Sequence, residues 1–133
     1  MTRLFRPSVW SSFALLPTAA LLASHGTARG AFVFALVYLA GAVTAFLYHW
    51  HEEVRFVALD HGTAWAVVAV NCIMCLESFD LVASTAGLLA VLAALACFRL
   101  ARSSPLRYER WHCAWHLFCG LAGWCFAQGY LVR

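Results

Sequence analysis

Long apolar runs separated by short polar breaks organise this chain. The breaks are "HGTARG", "HEEV", "LESFD" and "RSSPLRYE", and each contains charge, glycine or proline, as loops do. A helix that crosses a bilayer needs about 17–25 mostly apolar residues. Five runs meet this length, although the first is short and contains Pro17, which membrane helices tolerate. They predict spans at about 8–24, 31–50, 55–76, 81–101 and 109–131.

The composition indicates a membrane protein. Of 133 residues, 64% are hydrophobic and 11% are charged, and the mean hydropathy is +0.78. A soluble domain of this length has too much surface for its volume to bury so large an apolar fraction. Together with the five runs, the composition predicts an all-α, polytopic transmembrane helical bundle that forms a single domain over residues 1–133.

The arginines predict the orientation of the bundle. The chain has no lysine, and its net charge of +3 is too small to require a nucleic-acid partner. Five antiparallel spans place seven arginines on one side and two on the other, a bias that marks the cytoplasmic side, or the matrix or stromal side in an organelle. The N-terminus lies on the richer side, which carries Arg3, Arg6, Arg55, Arg99, Arg102, Arg107 and Arg110, against Arg29 and Arg133. The first run also resembles a signal peptide, but we interpret it as a retained helix.

The cysteines are predicted to be buried free thiols. All six lie within apolar runs, whereas disulfide frameworks belong to small secreted domains without an adequate core. The CxxC formed by Cys72 and Cys75 has no second CxxC to complete a zinc site, so we assign these two residues to packing.

Four ionisable residues lie at the ends of predicted spans that share one membrane face. His49 closes the second span, Asp60 lies in the first turns of the third, and His112 and His116 lie in the first turns of the fifth, in "RWHCAWH". Residues four apart lie on one face of a helix. If these helices are neighbours, the four side chains therefore meet at a similar depth near the arginine-rich side.

Three histidine nitrogens predict a metal site. Such a set on zinc leaves a fourth tetrahedral position for water, and zinc then activates that water and polarises a carbonyl for hydrolysis. Asp60 is placed to orient the water or take its proton. Ionisable groups inside a membrane are costly, so a cluster of them indicates function.

A structural interpretation competes with the metal site. Histidines at span ends often lie in the wetted interface, which is the assignment we give to His25, His51 and His61, and Arg55 is a candidate salt-bridge partner for Asp60. Trp50, Trp111 and Trp115 are typical of an interfacial aromatic belt. Thr63 and Asn71 are expected to form hydrogen bonds between helices. Replacement of one of the three predicted ligands by His51 or His61 stays open.

The ordered set of residues resembles the CREST superfamily of membrane proteins, which includes alkaline ceramidases, progestin and adipoQ receptors and myomaker-like proteins. That pattern has a histidine closing the second helix, an aspartate opening the third and HxxxH opening the last. Here His49, Asp60 and "HCAWH" match it. The stretches "LLPT" at 15–18, "ALVYL" at 35–39 and "DHGTAW" at 60–65 are most similar to the myomaker-like branch.

The resemblance implies that His49, His112 and His116 hold zinc and that Asp60 serves the metal-bound water in cleaving a lipid amide or ester. Two features depart from the family. Ala45 stands where the family has a serine four residues before the first metal histidine, with Thr44 one position away. The family has seven spans, so two helices between the third and the last are absent here.

Three functions are therefore weighed from the sequence. The first is a zinc-binding membrane protein with lipid-hydrolase activity, whose partner is membrane lipid. The second is a non-enzymatic subunit of a larger membrane complex with a retained or vestigial metal site, whose partners are other membrane subunits. The third is a haem-binding bundle with His49 and His116 as axial ligands, a role that imidazole fills readily.

Overall fold

The computed structural model describes residues 6–27, 30–51, 53–78, 80–103 and 107–132, and nearly all of them are helical. The described residues contain no β-strand, as the all-α prediction requires. The first helical run consists of α1, a 3-10 turn and α2, and four longer helices follow. Their bounds are α1 Pro7–Ser11, the 3-10 turn Ser12–Leu15, α2 Leu16–Ser24, α3 Ala31–His51, α4 Val54–Glu77, α5 Leu81–Ser103 and α6 Tyr108–Leu131.

Pro17 explains why the first predicted span is divided. A proline inside a helix has no N–H to donate and its ring clashes with the carbonyl four residues earlier. The chain tightens to 3-10 geometry over Ser12–Leu15, and α2 restarts with Pro17 in its first turn. The hydroxyl of Ser12 donates to the carbonyl of Ser8 at 3.0 Å, which supports the backbone before the tightened turn.

Within the part of the chain that the structure describes, three helices are long and apolar enough to cross a membrane by length and composition. They are α3, α4 and α5, with mean hydropathies of 2.1, 1.4 and 2.3. The sequence predicted five such spans. The last helix, α6, has 24 residues, but the histidines, charges and glutamine that it carries lower its hydropathy, and the first run is broken at Pro17. The chain is thus an all-α helical bundle of membrane-like character.

Two of the breaks between helices carry a local signal at the start of the helix that follows, α3 in one case and α5 in the other. Gly30 has a φ of +90° just before α3, a left-handed conformation that favours glycine. A carboxylate oxygen of Asp80 accepts hydrogen bonds from the backbone N–H groups of Val82 and Ala83 at 2.9 and 3.0 Å. These bonds cap the N-terminus of α5, so the polar residue that marks a loop in the sequence also sets the first turn of the next helix.

Helix α6 packs against the N-terminal run, α4 and, most extensively, α5. Glycines on α6 allow close approach at two places. A Cβ at Gly120 would collide with the backbone carbonyl of Ala14 in the 3-10 turn, and one at Gly123 would collide with the ring of Tyr38 on α3. In lipid, small residues at such contacts supply helix association through van der Waals packing. The core beneath them includes the fully buried Tyr38, Leu22 and Met74.

The substitution Gly120→Ala should destabilise the bundle. The added methyl would meet a backbone oxygen, which cannot rotate away, so overpacking should cost about 1–3 kcal/mol. Gly62→Ala is the matched control, because a methyl added there on α4 would have no neighbouring atom within 4 Å. Unfolding by SDS titration in detergent micelles should show a lower midpoint for Gly120→Ala alone; equal midpoints for the two variants would contradict this packing.

The cysteines are free, as predicted, but they are not uniformly buried. Cys97 on α5 is buried, whereas Cys72 on α4 is exposed and the others are partly exposed. Burial of Cys72 was therefore predicted wrongly. Cys72 lies on the outer face of α4. Its neighbours in the sequence are apolar because the outer face of a membrane helix is apolar as well as the face that packs against the core.

Candidate metal centre

Three buried histidines meet where α3 ends and α6 begins. His49 lies in the last turn of α3, and His112 and His116 lie in the first turns of α6. Their Nε2 atoms are separated by 3.0 Å for His49 and His112, 3.1 Å for His112 and His116, and 3.3 Å for His49 and His116. Each side chain is 8% exposed or less. The structure thus brings together the three histidines predicted as metal ligands.

Hydrogen bonds among these three nitrogens cannot satisfy all of them. In a neutral imidazole each ring nitrogen is either a donor or an acceptor. A closed set of three must then contain at least one pair of like groups, and like groups repel at these separations. A cation resolves the conflict, because all three Nε2 lone pairs can point at it while each Nδ1 carries the proton.

The separations fit one metal ion. Nitrogen ligands about 2.0–2.1 Å from a tetrahedral ion lie about 3.3–3.4 Å apart, close to the observed 3.0–3.3 Å. The three rings are also steeply inclined to one another, at 73°, 74° and 78°, so each presents its edge to a shared point. The donor set and its geometry therefore can hold a metal ion.

The same geometry argues against haem ligation by His49 and His116. Axial ligands lie on opposite faces of the porphyrin, which must fit between them. Here the two Nε2 atoms are 3.3 Å apart, and His112 contacts both of them. The arrangement favours a single ion.

Aromatic side chains fix the orientation of the histidine rings. Tyr108 stacks on His112 with ring centroids 5.0 Å apart and planes inclined by 19°. Trp115 contacts both His112 and His116, at 5.1 and 4.9 Å, and Tyr48 lies 5.0 Å from His49. Trp115, predicted as part of an interfacial belt, is therefore also a wall of the centre.

Asp60 lies on α4, on the wall of a cavity that it shares with His116. It is not a member of the histidine cluster found among the described residues. Arg55, weighed as its salt-bridge partner, is instead paired with Glu53, with 2.7 Å between Nε and Oε2. The carboxylate of Asp60 is half-buried and faces the cavity from the third predicted span.

The position of the expected serine lies on the same cavity. Ala45 is 3% exposed and lines it, while the neighbouring hydroxyl of Thr44 contacts the hydroxyl of Thr63 at 2.6 Å. Thr63, one turn after Asp60, lines the cavity itself. Thr63 was expected to join helices, and it does. Its position on the cavity wall with Asp60 was not predicted, because the sequence gives no sign that α3 and α4 face each other there.

The other histidines lie apart from the centre. His51 is 4.0 Å from the carboxylate of Glu53 and stacks on Phe56. His25 is exposed near the opposite end of the bundle, where it contacts the hydroxyl of Ser24, and His61 is exposed on α4. None of the three joins the cluster among the described residues, so the group that could hold an ion there consists of the three predicted histidines.

The chain matches no family model, no curated protein and no solved structure. Support for a metal centre therefore comes from the donor atoms, their separations and their burial. The likeness to the CREST pattern rests on the residues that carry it in the sequence.

Proposed function

We propose that this chain is a zinc-dependent membrane hydrolase that cleaves an amide or ester bond of a lipid, as a shortened CREST-like protein would. The observation that supports this most is the meeting of His49, His112 and His116 at 3.0–3.3 Å, at the edge of a largely apolar cavity. A metal ion beside an apolar cavity pairs a hydrolytic group with space for a hydrocarbon substrate.

Zinc is the proposed ion because three imidazoles suit it and leave a position open for water. When bound, it would activate that water and polarise the substrate carbonyl. The chain's own residues do the remaining work. The histidines would hold the ion, and Asp60 would accept the proton of the attacking water and return it to the leaving group. Trp115 and Phe98, whose rings contact each other, line the same cavity.

Hydrolysis by the detergent-purified chain should depend on the metal. A panel of lipid amides and lipid esters should yield free fatty acid with the zinc-loaded protein, and the yield should fall to background after treatment with a chelator. Added zinc should restore it, because the ligands are preorganised by α3 and α6. Absence of fatty acid from every amide and ester, in a sample that holds about one zinc per chain, would exclude the hydrolase.

A non-enzymatic membrane subunit is the second proposal. One observation favours it: α4 exposes large apolar residues along its length, among them Trp65 at 73% and Leu76 at 86%. Lipid covers such a surface, and so does another membrane protein. Mild-detergent purification distinguishes these functions, since a subunit should co-purify with a fixed partner at constant ratio and show no hydrolysis even when zinc is bound.

The arginine-rich end is proposed to face the cytoplasm, or the matrix or stroma. The metal centre lies at that end, because α3 ends there and α6 begins there. Labelling of single cysteines placed at residues 54 and 27 in a background without other cysteines should report opposite accessibility in intact cells, with residue 54 on the inner side.

A further inference from the structure

Four of the nine basic residues of the chain lie close together in the sequence, where α5 ends and α6 begins. They are exposed, and they are Arg99, Arg102, Arg107 and Arg110. Glu109 lies in the same stretch, and its carboxylate accepts a hydrogen bond from the hydroxyl of Ser8 at 3.5 Å. This end of the bundle therefore carries an excess of positive charge on its surface. Such a cluster beside a membrane helix is typical of contact with anionic lipid.

Two of these arginines form the walls of a groove near the end of α5. Arg99 and Arg102 line it together with Phe98 and Ser103. Residues three apart lie on neighbouring turns of one helix face, so both guanidinium groups can reach the same small ligand. The groove lies on the outside of the bundle and is separate from the cavity beside the histidines, although Phe98 borders both.

Phe98 holds one side of the groove in place. Its ring packs against the ring of Trp115 on α6, with centroids 5.4 Å apart. The guanidinium carbon of Arg102 lies 5.7 Å from the centroid of the Phe98 ring, within the range of a cation–π interaction. Because that ring is itself anchored, the side chain of Arg102 is restricted before any ligand arrives. It therefore loses less conformational entropy when it binds an anion.

No carboxylate pairs with the two arginines of the groove within the part of the chain that the structure describes. The other described acids at this end of the bundle are placed elsewhere, since Glu53 pairs with Arg55 and Asp60 lines the cavity beside the histidines. Like charges on one helix face repel each other. An anion between the two guanidinium groups would therefore remove a repulsion as well as form new hydrogen bonds.

The usual structural roles of arginine explain only part of this arrangement. A cation in the last turn of a helix interacts favourably with the helix dipole, and Arg102 lies in the last turn of α5. Arg99 lies one turn earlier, where that effect has fallen off. The charge bias that orients a membrane protein requires arginines on one side, but it does not require two of them to share a groove with an aromatic ring.

The groove lies at the depth of lipid headgroups when α5 crosses a bilayer, for which the helix is long and apolar enough. The helix begins at Leu81, directly after Asp80, which caps it. A rise of 1.5 Å per residue places Arg99 about 27 Å and Arg102 about 32 Å along the helix from Leu81. The hydrocarbon core of a bilayer is about 30 Å thick. With Asp80 at one boundary, the two arginines therefore lie at the other, at the level of the lipid phosphates.

We infer that Arg99 and Arg102 bind the phosphate group of an anionic membrane lipid, whose hydrocarbon chains lie along the outer face of α5. A guanidinium group donates two parallel hydrogen bonds to a phosphate. The same helix face continues from Arg99 into an exposed apolar row at helical spacing, formed by Leu95, Leu92 and Leu88 at 53%, 63% and 53% exposure. This row favours a lipid over free phosphate, which has no apolar part. The site is independent of the metal centre and of the proposed hydrolysis.

Native mass spectrometry of the purified full chain tests the site. The protein is mixed in detergent micelles with equal amounts of phosphatidylglycerol and phosphatidylcholine that have the same acyl chains. Both lipids carry a phosphate, but the choline cation offsets its charge in phosphatidylcholine. We expect the wild type to retain phosphatidylglycerol at least about tenfold over phosphatidylcholine. Arg99→Gln and Arg102→Gln should each lower this ratio about fivefold, the effect of one arginine near an anionic lipid surface.

Arg55→Gln is the matched control, because it removes one positive charge at the same end of the bundle but lies on α4, where Arg55 pairs with Glu53. This variant should leave the ratio unchanged. No preference in the wild type would overturn the inference, and so would an equal fall in all three variants, since net charge alone would then explain the retention.

Inorganic phosphate separates a lipid headgroup from a free anion as the occupant of the groove. The midpoint of thermal unfolding is compared in inorganic phosphate and in chloride at the same ionic strength. A higher midpoint in phosphate that is lost in Arg99→Gln, together with equal retention of the two lipids, would assign the groove to free phosphate and overturn the lipid site. The lipid preference with equal midpoints in the two salts supports the lipid site.

Discussion

His116→Ala will abolish metal binding while leaving the helices formed. His116 is 7% exposed and its Nε2 lies within 3.3 Å of both other histidine nitrogens, so its loss leaves two ligands and an open side. The zinc content measured by elemental mass spectrometry should fall from about one ion per chain in the wild type to nearly none in His116→Ala. His61→Ala is the control, since His61 is exposed on α4 and its removal should leave the metal content unchanged.

His116→Ala should also differ from the wild type in stability, by an amount that depends on zinc. An ion that binds only the folded protein stabilises it by about 4 kcal/mol at a thousandfold excess over its dissociation constant. The wild type should therefore be more stable than His116→Ala by several kcal/mol with zinc, and the gap should shrink when a chelator is added. Without zinc, the wild type retains one pair of like histidine nitrogens that cannot form a hydrogen bond with each other. His116→Ala removes that pair, so the substitution relieves a repulsion in the metal-free protein. If the difference in stability between the wild type and His116→Ala is the same with and without zinc, the histidines serve packing.

Asp60→Asn will abolish hydrolysis without removing the metal. Asparagine has nearly the same shape as aspartate but cannot take a proton from water, and loss of a general base typically lowers turnover by about 10²–10⁴-fold. Zinc content should stay near that of the wild type, because Asp60 lies outside the histidine cluster. The measurement is fatty-acid release from whichever lipid the zinc-loaded wild type cleaves.

Asp80→Asn provides a control with the same chemical change at the other end of the bundle. Asp80 caps α5 through two backbone N–H groups, a contact worth about 0.5–2 kcal/mol of stability at most N-caps. This variant should keep its turnover and its zinc, with at most a small loss of stability. Full activity in Asp60→Asn, or an equal loss in both variants, would remove Asp60 from the reaction.

The sequence predicted the helices and the meeting of the three histidines for separable reasons. Apolar runs between polar breaks predict helices because a spanning segment must satisfy its backbone internally. The meeting of the histidines was predicted because successive spans run in opposite directions. The end of α3 and the start of α6 then lie on the same side, so His49 and His112 reach the same depth. The pairing of α3 with α6 required a further assumption that they are neighbours, and the structure supplies that contact.

Other features depend on how helices pack, which apolar sequence hardly encodes. In lipid every face of a helix is apolar, so the pattern did not distinguish the outer face of α4 from its core face, and Cys72 was placed wrongly. The scarcity of contacts between the described residues of α4 and α5, which follow each other in the chain, was equally invisible. Thr44 and Thr63 met because two helices lie close at that level, a fact of packing and not of motif.

The distance along the chain between the ligands has a consequence for synthesis. His49 precedes His112 by 63 residues and His116 by 67, and α6 follows every other helix of the described residues. A ribosome releases α3, α4 and α5 long before the second half of the ligand set exists. If the cluster binds a metal as proposed, all three histidines can hold the ion only after α6 has packed against the rest of the bundle. Chains that stall before α6 would lack two of the three nitrogens.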